Sequence, residues 1–148
     1  MTINANKQYD VGLTYDLYLI KDGVLKTTFG YNGFAKTDGN GFVDFTANST
    51  SNRFWAQLTD EFLGAGAYNT LVFEILAWEY SCDVGIANTG DNYSSPGWLA
   101  KTNVTAGGTF PRTIEIDVSS VLLKDKYFHH NCASYPRNFR YKNLYLKR

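Results

Sequence analysis

Turn-forming residues punctuate this chain roughly every eight to fifteen residues, the spacing of a sandwich or barrel of short strands. Asp22-Gly23, Asp38-Gly39-Asn40-Gly41, the polar run Asn48–Asn52, Gly64 and Gly66, Asn88–Pro96 and Gly107-Gly108 supply the breaks. Between them apolar residues alternate with polar ones, and no segment sustains a 3.6-residue period over about ten residues. The strands expected from this pattern are Tyr15–Lys21, Val24–Tyr31, Phe42–Thr46, Arg53–Leu58, Thr70–Tyr80, Asp83–Ala87, Trp98–Val104, Arg112–Val118, Tyr127–Cys132 and Phe139–Lys147. Asp22-Gly23 predicts a type I′ hairpin, because that turn needs positive φ at both central residues. Thr59–Ala67 reads as a loop with a short helical turn. A length of 148 residues suits one core, so residues 1–148 are expected to form one all-β domain.

Alternation along a strand assigns each residue to a face. On Thr70–Tyr80, Leu71, Phe73, Ile75 and Ala77 are expected to point into the core, and Val72, Glu74, Leu76, Trp78 and Tyr80 away from it. On Arg53–Leu58, Phe54, Ala56 and Leu58 point inward and Arg53, Trp55 and Gln57 outward. On Arg112–Val118, Ile114, Ile116 and Val118 point inward. Two strands thus put a tryptophan among charged or amide residues on a non-core face. A sugar-binding surface needs that combination, with rings to stack on the apolar face of a pyranose and polar neighbours to bond its hydroxyls. A subunit interface and a small satellite core would use the same residues. The candidate ligand residues on this face are Arg53, Trp55, Gln57, Glu74 and Trp78. Asp91, Asn92 and Tyr93, on the Asn88–Trp98 loop, form a rival site.

Charge narrows the partners. Fourteen Lys and Arg balance fourteen Asp and Glu, which gives no footprint for nucleic acid. The basic residues near the end (Arg137, Arg140, Lys142, Lys147 and Arg148) read as a terminal strand with solvated ends, with a phosphate-binding tail as the alternative. The longest apolar run, Leu71–Ala77, is broken by Glu74 and falls far short of a bilayer span. Met1–Lys7 has no apolar stretch of the secretory kind. No membrane insertion is expected.

Cys82 and Cys132 are expected as two buried free thiols, with a disulfide as the alternative. His129 and His130 are adjacent, so on a strand they face opposite ways and converge poorly on a metal. No cofactor is expected. The Asp/Asn/Gly turns offer oxygens that would suit Ca2+, but without EF-hand spacing. The sequence contains no G-x-S-x-G, H-E-x-x-H or P-loop. A Cys132–His130 dyad shares a strand face without a visible orienting partner. Glu74, Glu79, Glu115 and Asp117 suit glycoside hydrolysis by residue type alone. A non-catalytic role is therefore expected. Asn48, Asn92 and Asn103 sit in N-x-[ST] patterns that a eukaryotic secretory route would read as glycan acceptors.

A series of segments gives the chain a family likeness. Leu71-Val-Phe-Glu-Ile is followed by Val84-Gly-Ile-Ala, then by Thr113-Ile-Glu-Ile-Asp-Val-Ser-Ser120, and the chain closes on Tyr141-Lys-Asn-Leu-Tyr-Leu-Lys147. From Thr70 to Arg148 this resembles the jelly-roll modules of carbohydrate-binding-module type, including those on phage tail and other virion proteins. The opening half, with Tyr18-Leu-Ile-Lys-Asp-Gly-Val-Leu and Phe29-Gly-Tyr-Asn-Gly, is similar in style to phage structural domains. The resemblance implies a jelly-roll-type antiparallel β-sandwich without catalytic residues. It implies a virion structural or receptor-binding module of a tail, baseplate or head decoration, binding cell-surface carbohydrate and assembling as a homo-oligomer or with other virion proteins. The alternatives are a carbohydrate-binding module attached to a glycan-active enzyme, extracellular as part of a larger protein, and a small β-sandwich hydrolase.

Overall fold

The first hairpin forms where the Asp-Gly pair predicts it. In the computed structural model, which describes residues 16–148, Asp22 (φ 49°) and Gly23 (φ 79°) both take left-handed conformations. They join strand β1 (Leu17–Lys21) to β2 (Val24–Leu25), with Ile20 opposite Leu25. Gly23 is required on a second count, since a Cβ there would fall 2.4 Å from the Phe42 backbone. Tyr15, expected to open β1, lies outside the described residues.

Strands β3 (Phe29–Asn32), β4 (Phe34–Asp38), β5 (Val43–Ala47) and β6 (Asn52–Leu58) come next, then a single helical turn, α1 (Asp60–Leu63). The Thr59 side chain caps α1 by accepting from the Phe62 amide at 3.1 Å. The remaining strands are β7 (Thr70–Trp78), β8 (Cys82–Ala87), β9 (Trp98–Val104), β10 (Arg112–Asp117), β11 (Lys126–Cys132) and β12 (Arg137–Lys147). They make two antiparallel sheets, and the fold is an all-β jelly-roll-type sandwich. A five-stranded sheet runs β3-β6-β11-β8-β9. A seven-stranded sheet runs β10-β7-β12-β1-β2, with β5 on β12 and β4 on β5. β12 organises the larger sheet: it pairs with β7 along one edge, and with β5 and then β1 along the other.

The inner faces of both sheets meet in one aromatic core. Phe45 of the larger sheet stacks on Phe54 of the smaller at 4.1 Å between ring centroids. Phe73, Phe128, Phe139 and Tyr141 pack around them, all fully buried. Each such side chain contributes about 1.5–3 kcal/mol relative to exposure. His130 also points into this core. Its Nδ1 lies 2.9 Å from the Tyr141 hydroxyl, and its Nε2 has no partner. Burial lowers its pKa well below the usual histidine value, with neighbouring His129 adding to the effect, so the ring is neutral. Cys82 and Cys132 are buried and free. The proximity of Cys132, together with burial, pushes the Cys82 thiol up.

Three expectations need correction. Val24–Tyr31 is not one strand: it breaks at Lys26–Thr28, where the chain crosses from the larger sheet to the smaller. β4 has no counterpart among the expected strands, because Phe34-Ala-Lys-Thr-Asp carries one large apolar residue and no alternation. Trp78 does not face outward. On β7, Ile75 pairs with Tyr141 but Ala77 pairs with Arg140, so Leu76 is an extra residue in the ladder. That bulge reverses the facing of the residues beyond it. Ala77 turns out and Trp78 turns in, where it is 2 % exposed, lies 4.8 Å from His130 and donates from Nε1 to the Val104 carbonyl at 3.1 Å.

Of the terminal basic residues, Arg137, Arg140, Lys142 and Lys147 belong to β12, a strand interior to the larger sheet, and Arg148 follows it. Arg140 pairs with Asp44 at 2.8 Å, and Lys147 with Glu115 at 3.8 Å. No helix among the described residues is long and apolar enough to cross a membrane.

Candidate functional site

β6 keeps regular alternation, so Arg53, Trp55 and Gln57 stand on the outer face of the five-stranded sheet. Its neighbours set their surroundings. Trp55 is flanked by Gly30 of β3 on one side and His129 of β11 on the other, and Gln57 is flanked by Tyr127. The indole extends over Gly30, where a Cβ would fall 2.4 Å from its benzo ring. Glycine at that position gives the ring a place to lie.

The 88–97 loop continues the β8–β9 hairpin and folds down on this same face. It is closed on itself by the Asn88 amide donating to Gly97 O at 2.9 Å, Thr89 to Pro96 O at 3.0 Å, and Ser95 to the Asn92 side chain at 2.9 Å. It is pinned to the sheet by Asp91, which pairs with Arg53 at 2.6 Å and accepts from Asn32 at 3.1 Å. Asn131 of β11 donates to Tyr93 O at 3.0 Å, and His129 Nδ1 lies 3.2 Å from Thr89 O. Gly90 sits against Trp55, with room for no Cβ. The loop and the Trp55 face, expected as rivals, are therefore one assembly. His129 records how closely the loop fits, being fully buried although it points away from the core. Burial lowers its pKa against the opposing effect of its contacts with Asn131 and Thr89.

The loop leaves one end of the face open. There a cleft of about 630 Å³ is lined by Trp55, Gln57, Tyr127, Phe62, Glu61 and the Thr27–Gly30 edge. Three aromatic side chains, an amide, a carboxylate and threonine hydroxyls meet in it. The volume falls within the range of small-molecule sites, roughly 300–1,000 Å³. On the far side of the loop, Tyr93, Asp83, Asn103 and Asn131 line a smaller recess of about 180 Å³.

The expected site residues thus divide. Trp55 and Gln57 line the cleft. Arg53 and Asp91 anchor the loop beside it, Asn92 shapes the loop, and Tyr93 faces the smaller recess. Trp78 is a core residue and leaves the candidate site, as does Glu74. Glu74 stands on the outer face of the other sheet, where its carboxylate accepts from the Asn143 amide. Tyr127 and Phe62 join the site without having been singled out by the sequence pattern. Tyr127 shares the outward parity of His129, but its position beside Gln57 depends on a β6–β11 pairing that no local pattern announces. Cys132 and His130 both point into the core, His130 bonded to Tyr141, so no solvent-facing dyad exists. Among the described residues, no group of three or more His, Cys, Asp or Glu side chains could hold a metal ion.

No protein-family model matches the sequence, and no curated protein sequence matches it. Solved structures do match. A mutant of a family 29 carbohydrate binding module superposes with a TM-score of 0.64 at 13% identity, covering 91% of this chain and 92% of that one. This chain has the fold of a carbohydrate-binding module. A second family 29 mutant, complexed with cellulohexaose, gives a TM-score of 0.61 at 12% identity over 91% of this chain and 90% of that one. A third, complexed with mannohexaose, gives 0.59 at 14% identity over 91% and 92%. The structure of PfGH50B matches 82% of this chain at 11% identity and a TM-score of 0.59, and the match occupies 23% of that longer chain. At these identities the likeness is one of fold, so the cleft stands on its own geometry.

Proposed function

We propose that this chain is a non-catalytic carbohydrate-binding module that holds saccharide in the cleft beside Trp55. The observation that carries the reading is the meeting of Trp55, Tyr127 and Phe62 with Gln57 and Glu61 in an open cleft of about 630 Å³ on the outer face of a module-type sandwich. Aromatic rings offer apolar faces to the C–H side of a pyranose, and the amide, carboxylate and hydroxyl groups bond its hydroxyls. One carboxylate lines the cleft, whereas glycoside hydrolysis commonly needs a facing pair. The similar modules complexed with cellulohexaose and mannohexaose make neutral hexose chains the first ligands to try.

The test is titration of soluble oligosaccharides and polysaccharides by calorimetry and tryptophan fluorescence. Binding should be lost in Trp55→Ala and Tyr127→Ala and kept in Glu74→Ala. Absence of binding across a broad glycan array would refute the reading. Attachment to a glycan-active enzyme is the simplest setting for such a module. A phage tail or baseplate module would use the same cleft on a cell-surface glycan, and a trimer in solution with co-purifying particle proteins would favour that setting.

A further inference from the structure

We propose that the cleft takes the end of a saccharide chain, or a short free oligosaccharide, and excludes the interior of a long polymer. This rests on the carbohydrate reading above and deepens it. The outer face of the five-stranded sheet would, if bare, continue from Gln57 and Tyr127 past Trp55 and His129 to Arg53 and Asn131. A polymer lying on the cleft aromatics would run on over that surface. The 88–97 loop occupies it instead. Gly90 rests against Trp55, Thr89 O caps His129, Asp91 is held by Arg53 and Asn32, and Tyr93 O accepts from Asn131. Full burial of His129, an outward-pointing strand residue, shows that no ligand path crosses there.

The opposite end of the cleft is walled by Thr59, Glu61 and Phe62 at the start of α1. The Thr27–Gly30 rim lies along β3, an edge strand of the sheet. With the face beyond Trp55 covered by the loop and α1 at the other end, the cleft admits a terminus. Its volume suits a ligand of about two or three sugar units.

The experiment is a chain-length series, from mono- to hexasaccharide, of whichever hexose polymer binds the wild-type protein, measured by calorimetry. Affinity should rise to about the trisaccharide and then stay flat within about twofold. Cutting the parent polysaccharide with an endo-acting hydrolase should raise its binding capacity per unit mass in step with the number of ends. Asp91→Ala, which removes the loop's bonds to Arg53 and Asn32, should raise hexasaccharide affinity several-fold over disaccharide affinity. Wild-type affinity that climbs steadily to the hexasaccharide, or capacity unchanged by cutting, would overturn the proposal even if Asp91→Ala fails to fold. Such a result would leave the carbohydrate reading intact, whereas no binding at any length would remove both.

Discussion

Trp55 and Trp78 are alike in sequence setting and opposite in structural position, and alanine at each should separate binding from stability. Trp78 is 2 % exposed, packs on His130, Phe139 and Phe73, and satisfies the Val104 carbonyl. Trp78→Ala leaves an indole-sized cavity, and buried Trp→Ala changes cost about 3–5 kcal/mol. The orphaned carbonyl adds a desolvation cost, about 1–3 kcal/mol where no water replaces the donor. The loss should therefore sit near the upper end of the cavity range, about 5 kcal/mol. With a urea m-value of about 2 kcal/mol/M, the unfolding midpoint drops by roughly 2.5 M. Trp55→Ala removes a half-buried surface ring and should cost within about 1 kcal/mol, while weakening saccharide binding at least about tenfold, or 1.4 kcal/mol. Urea titration by circular dichroism gives the first quantity and calorimetry the second. A Trp78→Ala protein with a wild-type midpoint and no saccharide binding would refute both the inward placement and the assignment of the cleft.

Other outcomes come from the core and the sheet. His129 and His130 both have folded-state pKa values below the ordinary one, so the unfolded chain binds more protons in acid. Their neutral-state contribution is fully present above about pH 6.5 and is lost as pH falls below it, at up to about 1.4 kcal/mol per pH unit for each. Denaturation midpoints across about pH 4–8 should show this slope, and His130→Phe should flatten it. Cys82 and Cys132 are buried in the folded protein. Under reducing conditions a thiol reagent should label both only as fast as the protein opens, with labelling rates tracking urea concentration; immediate labelling of either in the native state would contradict their placement. A Cβ at Gly85 would fall 2.0 Å from the Ala100 carbonyl oxygen. Gly85→Ala should therefore force β9 away from β8, lowering stability by about 1–3 kcal/mol and Tm by several degrees in a thermal scan.

The strand pattern is legible where local chemistry and tertiary pairing agree. Asp22-Gly23 dictates its turn by backbone sterics alone, and Asn52–Leu58 alternates cleanly because one face meets the core and the other meets solvent or a loop. Phe34–Asp38 forms a strand because β5 offers it a partner edge, and its own residues carry little trace of that. The break at Lys26–Thr28 is equally silent, since a chain can change sheets without any residue that forbids a continuing strand.

The site is half legible for a related reason. Face assignment by counting works only while a strand stays in register, and every inserted residue reverses it. β6 has no such insertion, so counting from Phe54 places Trp55 and Gln57. β7 has one at Leu76, and nothing in Glu-Ile-Leu-Ala-Trp marks it. Opposite it, β12 runs without a break through Phe139, Arg140 and Tyr141, with the Arg140 guanidinium held outside by Asp44. Beyond the insertion Trp78 turns inward and packs against His130. The same distinction governs the cleft. Its floor is set by alternation within β6, but its walls come from Tyr127, Phe62 and the Thr27–Gly30 edge, and the face beyond Trp55 is covered by a loop anchored through Asp91 to Arg53, a contact spanning 38 residues. Local sequence can place a ring on a face; only the distant strand and the loop decide whether that face is an open groove or a cleft with an end.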